Sequence, residues 1–290
     1  MGDVHEDGRA VVVGVDGSDR ARDAAVWAAQ RARPTGATVR LVTATAPAGR
    51  HLGDAGGPGY DADLRREAAH GRLAAAAALV HQIAPEVPVG QVIRDGDPVA
   101  VLTAESATAA LLVLGNSAHR GIGGVLAGSV LTALTGRTHC PLVAVRGSFR
   151  GEEGGPVVVG VDGSPASEAA LAFAFTTAAE HGTVLVAAHT WIDAPAGGSR
   201  SWAAVEEQER EVLAERLAGW AEKYPEVEVR RVAGRDRPAN TLVELADGAR
   251  LVVLGSRRRG PVAGALLGSV GREVLHRARC PVAVVPGATR

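Results

Sequence analysis

The octet VVVGVDGS occupies residues 11–18 and returns unchanged at 157–164. Later landmarks return as well. LLVLG at 111–115 is answered by LVVLG at 251–255, AGSV at 127–130 by LGSV at 267–270, and Cys140-Pro141 by Cys280-Pro281. These later pairs share an offset of 140, against 146 for the octet, so the second copy is shorter between its first strand and its fourth. A period of about 145 residues is far longer than any solenoid repeat, which leaves a duplicated domain. A chain of 290 residues is long enough for each copy to bury its own core. The expected division is a first domain over 1–147, a linker over 148–155 and a second domain over 156–290. The stretch RGSFRGEEGGP at 146–156, polar and Gly-rich, marks the junction.

Within each copy, short β-branched runs alternate with longer Ala-rich stretches of helical character. Strands are expected near 10–15, 38–44, 87–93, 110–114 and 141–145, with helices over about 19–33, 62–83, 97–107 and 128–138. The second copy repeats the strands near 156–161, 183–190, 227–232, 250–254 and 281–285. VVVGV and LLVLG are apolar at every position and lack the alternation of a half-exposed antiparallel strand. Continuous apolar strands separated by helices predict an α/β fold: an open parallel sheet in each copy, with helices on both faces. Leu213, Leu217, Trp220 and Tyr224 follow helical spacing as core residues, Glu206 and Arg210 can pair one turn apart, and Pro225 ends the run. The segment AGRHLGDAGGPG at 48–59 has no period and reads as a disordered loop after the second strand.

The formal net charge is −1, which supplies no electrostatic footprint for nucleic acid or a membrane surface. The first ten residues, MGDVHEDGRA, have no apolar signal-peptide core, and the longest apolar run, Leu73 to Val80, cannot span a bilayer. Two cysteines at equivalent repeat positions, each followed by proline, are not a disulfide framework. A protein of the reducing cytoplasm is the expectation.

In an open parallel sheet, ligands bind beyond the carboxyl ends of the strands, where strand order reverses. Asp16 and Asp162 follow the first strand of each copy, and the next two residues, Gly-Ser, lead into a helix. Such a carboxylate is either part of the turn and helix cap or an acceptor for a hydroxylated ligand such as ribose. A second landmark bears on the choice. GNSAHRGIGGVLAGSV at 115–130 and GSRRRGPVAGALLGSV at 255–270 each start at a strand end and close on Gly-Ser at a helix start. Glycines let backbone N–H groups approach an anion, and a helix N-terminus offers free donors and partial positive charge. Gly128 and Ser129, with Gly268 and Ser269, are the expected phosphate contacts. The only lysine, Lys223, has no P-loop context, and GPGYDA at 57–62 lies in the unpatterned segment rather than at a strand-to-helix turn.

Catalytic constellations are absent from the sequence. There is no GxSxG nucleophile elbow, and no CxxC or HExxH spacing for a metal accompanies His139, His276 or the two cysteines. Cys140 and Cys280 read as structural. No residue is nominated to position water for hydrolysis, so a non-enzyme is expected, with slow ATP hydrolysis the most that such a site would show.

The repeated opening V-G-V-D-G-S, the five alternating strand–helix units and the final Cys-Pro-apolar strand of each half resemble the universal stress protein family in its tandem form. The resemblance implies a five-stranded parallel sheet of order 3-2-1-4-5 in each half. It also implies ATP or a related adenine nucleotide, with Mg2+, as ligand. ATP-binding members are similar to G-x2-G-x9-G-[ST] after the fourth strand. Here the first copy supplies Gly115, Ala118 and Gly128-Ser129, and the second Gly255, Arg258 and Gly268-Ser269. Both copies depart at the middle glycine: Ala118 adds a methyl, and Arg258 either grips a phosphate or fills its space. By the same resemblance Asp16 and Asp162 meet ribose or phosphates and Ala44 and Thr190 border adenine. Gly17, Asn116, Val130, Gly163, Ser256 and Val270 complete the expected nucleotide contacts. The family implies a stress-response regulator whose output is a conformation or partner interface. It further implies an intrachain pseudo-dimer of the two halves, through the terminal strands CPLVAVR and CPVAVVP, and a homodimer of chains. The competing reading is an interaction scaffold of the same fold that has lost its ligand.

Overall fold

A computed structural model of the chain describes residues 10–45, 58–116, 130–146, 155–192, 202–256 and 267–287. The chain divides into two compact units, Met1–Ser148 and Phe149–Arg290. The first unit runs β1 (Val11–Gly14), α1 (Asp19–Ala32), β2 (Val39–Thr45), α2 (Pro58–Ile83), β3 (Val89–Asp95), α3 (Pro98–Glu105), β4 (Leu111–Gly115), α4 (Val130–Leu134) and β5 (Leu142–Val145). The second runs β6 (Val157–Gly160), α5 (Pro165–His181), β7 (Leu185–Trp191), α6 (Trp202–Lys223), β8 (Val229–Arg235), α7 (Pro238–Leu245), β9 (Leu251–Ser256), α8 (Ser269–Arg277) and β10 (Val282–Pro286).

Strand order in the first unit is β3-β2-β1-β4-β5, and in the second β8-β7-β6-β9-β10. Within each unit the pairings are parallel. Order reverses between β1 and β4 and again between β6 and β9, so each unit has its switch point beside the repeated octet. The all-apolar strands are buried on both faces: Val11, Val12 and Val13 are at most 4% exposed, as are Val157, Val158 and Val159. Each such side chain stabilises the fold by about 2 kcal/mol.

Helix α1 turns a row of small residues, including Ala24, Ala25, Ala28 and Ala32, onto the sheet, all fully buried. Small side chains bring helix and strand close. A Cβ on Gly115 would stand 2.4 Å from the Arg20 carbonyl at the start of α1, and one on Gly255 would stand 2.4 Å from the Ala166 carbonyl in α5. The glycine closing each LxVLG strand is therefore required by this approach. In α6, Leu213 and Leu217 are buried as their spacing predicts, while Trp220 and, just past the helix, Tyr224 stack with Phe175 of α5 at centroid distances of 5.9 and 5.7 Å. Glu206 and Arg210 form the expected ion pair.

Several element boundaries differ from the sequence expectation. Helix α2 starts at Pro58 rather than 62, so the last two residues of the unpatterned segment belong to it, and GPGYDA runs into its first turn. A proline at the first helical position fits, because its missing N–H has no intrahelical partner there. Residues 48–57 lie outside the described residues. β3 and β8 extend to Asp95 and Arg235, two to three residues beyond their apolar runs, because their ladders with β2 and β7 continue through polar residues at a solvated end. The helix expected over 128–138 is described only as Val130–Leu134, ending ahead of Gly136, whose φ is +80°.

Candidate functional site at the carboxyl edge of each sheet

The register gathers the predicted residues of the first unit at one edge. Val13 pairs with Val113 and Gly14 with Val42, and the Val15 N–H still donates to the Val42 carbonyl at 2.8 Å. Asp16 thus leaves the sheet beside the ends of β2 and β4, where Ala44 and Gly115 lie. The second unit repeats the arrangement. Val159 pairs with Val253, Gly160 with Ala188, and the Val161 N–H donates to the Ala188 carbonyl at 2.9 Å. Asp162, Thr190 and Gly255 therefore share an edge as well.

The octet's acid is exposed and takes part in the turn. Asp16 Oδ1 accepts from the Ser18 N–H at 2.9 Å and from the Ser18 hydroxyl at 2.6 Å. Ser18 is itself the N-cap of α1, accepting from the Ala21 N–H at 3.2 Å. In the second unit Asp162 Oδ1 accepts from the Ser164 N–H at 3.0 Å, and Ser164 caps α5, with Pro165 at its first position. One carboxylate oxygen is thus committed to starting the helix. The other oxygen of Asp16 has no hydrogen-bond partner among the described residues.

Gly17 and Gly163 make the turn possible, with φ of +88° and +74°. That left-handed backbone is the reason for glycine after the acid. Each is covered by an arginine that the sequence did not single out. A Cβ on Gly17 would stand 3.0 Å from Arg72 Cγ of α2, and one on Gly163 would stand 3.0 Å from Arg216 Nη2 of α6. Both arginines are exposed, so a cationic side chain lies over the acid turn in each unit.

A second tie closes the end of the first strand. Thr43 of β2 donates its hydroxyl to the Val15 carbonyl. The equivalent residue of β7 is His189, whose Nδ1 lies 2.7 Å from the Val161 carbonyl while Nε2 lies 3.0 Å from Glu209 of α6. Its ring lies 5.6 Å from that of Trp191, whose buried Nε1 has no hydrogen-bond partner among the described residues. The repeat concealed these ties, because the two copies use different residue types for one task.

At the ends of β4 and β9, Asn116 donates its N–H to the Val145 carbonyl at 2.6 Å. Ser256 is 1% exposed and donates its hydroxyl to the Val285 carbonyl at 3.3 Å, so its side chain is held in the sheet rather than turned to the edge. Arg146 leaves β5 on the same side. Its basicity is lowered, first by burial and then by the positive charge of Arg20. Gly268, exposed, is the N-cap of the nine-residue α8 and provides no side-chain cap, with open space where a Cβ would stand. Ser269 and Val270 follow as the first helical residues, with N–H groups that have no intrahelical acceptor. Because α8 leads from β9 into the parallel β10, its start lies at the carboxyl edge. Val130 opens α4 in the corresponding place. Ala118, Gly128, Ser129 and Arg258 lie outside the described residues.

Cys140 and Cys280 are 5% and 3% exposed, and burial pushes both thiols up to about 12. They belong to the core, as expected. No group of three or more metal-binding side chains occurs among the described residues, nor is any helix there long and apolar enough to cross a membrane.

The sequence profile of the universal stress protein family matches the chain twice, over residues 8–146 and 155–286. A universal stress protein of Mycobacterium tuberculosis is 39% identical over 285 residues, covering 94% of this chain and 95% of its own. Another, from Mycolicibacterium smegmatis, is 38% identical over 290 residues, covering 95% and 96%. In solved structures, a universal stress protein from Archaeoglobus fulgidus superposes with a TM-score of 0.75 over 97% of this chain and 99% of that one, at 18% identity, a likeness of fold. With two successive matches to the family's domain, and aligned over nearly its whole length with such proteins, the chain is a tandem member of the universal stress protein family.

Proposed function

We propose that this is a cytoplasmic stress-response regulator that binds ATP or a related adenine nucleotide at the carboxyl edge of each unit, and that chains associate as homodimers. The observation that carries the reading is the exposed acid turn at each switch point. Asp16 and Asp162 leave the sheet on a left-handed glycine, beneath an arginine, next to the LxVLG glycine of the neighbouring strand, Gly115 or Gly255. A carboxylate suits ribose hydroxyls, and cations with free helix-terminal amides suit phosphates. Two features fit a ligand at the second edge: the uncapped amides at the start of α8 and the buried Trp191 Nε1 donor, unmatched among the described residues. In this reading the output is a conformation or a partner interface.

Asp16→Asn is the informative variant, because the amide oxygen still accepts from Ser18 and keeps the helix cap while the charge is lost. Calorimetric titration with ATP and magnesium should show binding weakened about tenfold at the altered site, with helix content unchanged. Absence of any heat or co-purifying nucleotide at about 1 mM ATP would establish the ligand-free scaffold instead.

A further inference from the structure

We propose that the groove between α3 and α4 of the first unit is a second, separate binding site, which takes a small organic carboxylate. The groove is an open cavity of about 570 Å³, within the range of small-molecule sites. Val99, Ala100, Ala104 and Ala133 give it an apolar lining, and Arg137 gives it a cationic group, with His139 beside it in the lining. The Arg137 guanidinium has no hydrogen bond or ion pair among the described residues. Asp97, also in the lining, turns Oδ1 to the Val99 and Ala100 amides, both at 3.0 Å, as the cap of α3.

The second unit shows what this arginine pairs with. Its equivalent, Arg277 of α8, bonds Asn240 Oδ1 at 2.8 Å and forms an ion pair with Glu273. At the offset of 140, Asn240 corresponds to Ala100 and Glu273 to Ala133. The first unit thus has alanine where the second has the carboxylate and the amide oxygen, and holds its cation beside a cavity. The segment 117–129, which precedes α4 in the sequence, contains no acidic residue. A guanidinium binds a carboxylate through two parallel hydrogen bonds, and an alanine-lined floor accommodates a short apolar body. The ligand class is therefore a monocarboxylate with an alkyl or similarly apolar chain, its head on Arg137 and its tail along Ala100, Ala104 and Ala133.

The test uses the full-length chain, labelled with nitrogen-15, titrated at low salt with hexanoate, with hexylamine and hexanol as controls. Hexanoate alone should shift the amide signals of Ala100, Ala104, Ala133 and His139, leaving their second-unit equivalents still. The double variant Ala100→Asn/Ala133→Glu rebuilds the pairing already present in the second unit and should weaken this response at least about tenfold, as should Arg137→Ala. The reverse pair, Asn240→Ala/Glu273→Ala, should create a hexanoate response around Arg277. Three results would overturn the proposal: no shift at about 10 mM hexanoate, equal shifts with hexylamine or hexanol, or an undiminished response in the rebuilt double variant.

Discussion

Asp16 commits one oxygen to the fold, since Oδ1 holds Ser18 at the start of α1, and the proposed function gives the ligand the other. The sequence posed cap and ligand contact as alternatives, and the geometry makes them compatible, which letters alone could not express. The glycine after it was read as part of a recurring signal, and its φ of +88° supplies the reason. Arg72, Thr43 and His189 were not readable, because their roles depend on which side chain reaches a neighbour rather than on a repeated letter. The cysteines were readable as core, and their burial has a pH consequence. A thiol whose ordinary value is 9.0 and whose native value is about 12 stays protonated in the fold while the unfolded chain ionises. The native state then binds more protons, so stability is full below pH 9 and falls as pH rises from 9 toward 12. Urea unfolding across that window should show a shallower fall for Cys140→Ala/Cys280→Ala than for the parent. Iodoacetamide should label the parent only as it unfolds.

Elements were the most readable level, because uninterrupted apolar strands between Ala-rich helices admit few arrangements besides a parallel sheet. Strand ends escaped where the ladder outlasts hydrophobicity, as at Arg94 and Asp95. Part of what fastens α3 to that edge is ionic. Glu105, 8% exposed, pairs with Arg40 of β2 at 3.3 Å and with Arg94 of β3 at 3.0 Å. The second unit has Val186, Gly234 and Leu245 in these places, and Val186 and Leu245 belong to its apolar core. Removing one partner of a buried pair leaves its charge uncompensated, so Glu105→Ala should cost about 3 kcal/mol. Arg40→Val/Glu105→Leu, which copies the second unit, should remain within about 1 kcal/mol of the parent. Chemical denaturation midpoints decide between these outcomes.

For the whole molecule, duplication fixed a common frame and left each half free to vary around it. The first unit brings Arg20 and Arg146 to its edge, where the second has Ala166 and Pro286. Nucleotide titration should therefore resolve two unequal events. The tighter should be the one that Asp16→Asn weakens about tenfold and that salt weakens more steeply, since exposed charges are screened within about 10 Å at 0.1 M. Two events of equal salt dependence would remove the assignment to Arg20 and Arg146. The division into halves was readable from the octet alone, whereas this asymmetry was hidden by the letters the copies share. The arginine above each acid turn shows how far such hiding can go. Helices α2 and α6 end at equivalent positions, Ile83 and Lys223, so Arg216 corresponds to Ala76 and not to Arg72. The same spot is reached from one helical turn further along, about 6 Å. A graft of either helix into the other half, spliced by aligned letters, would deliver its guanidinium a full turn off target. Chimeras of the two halves must be cut by position in space.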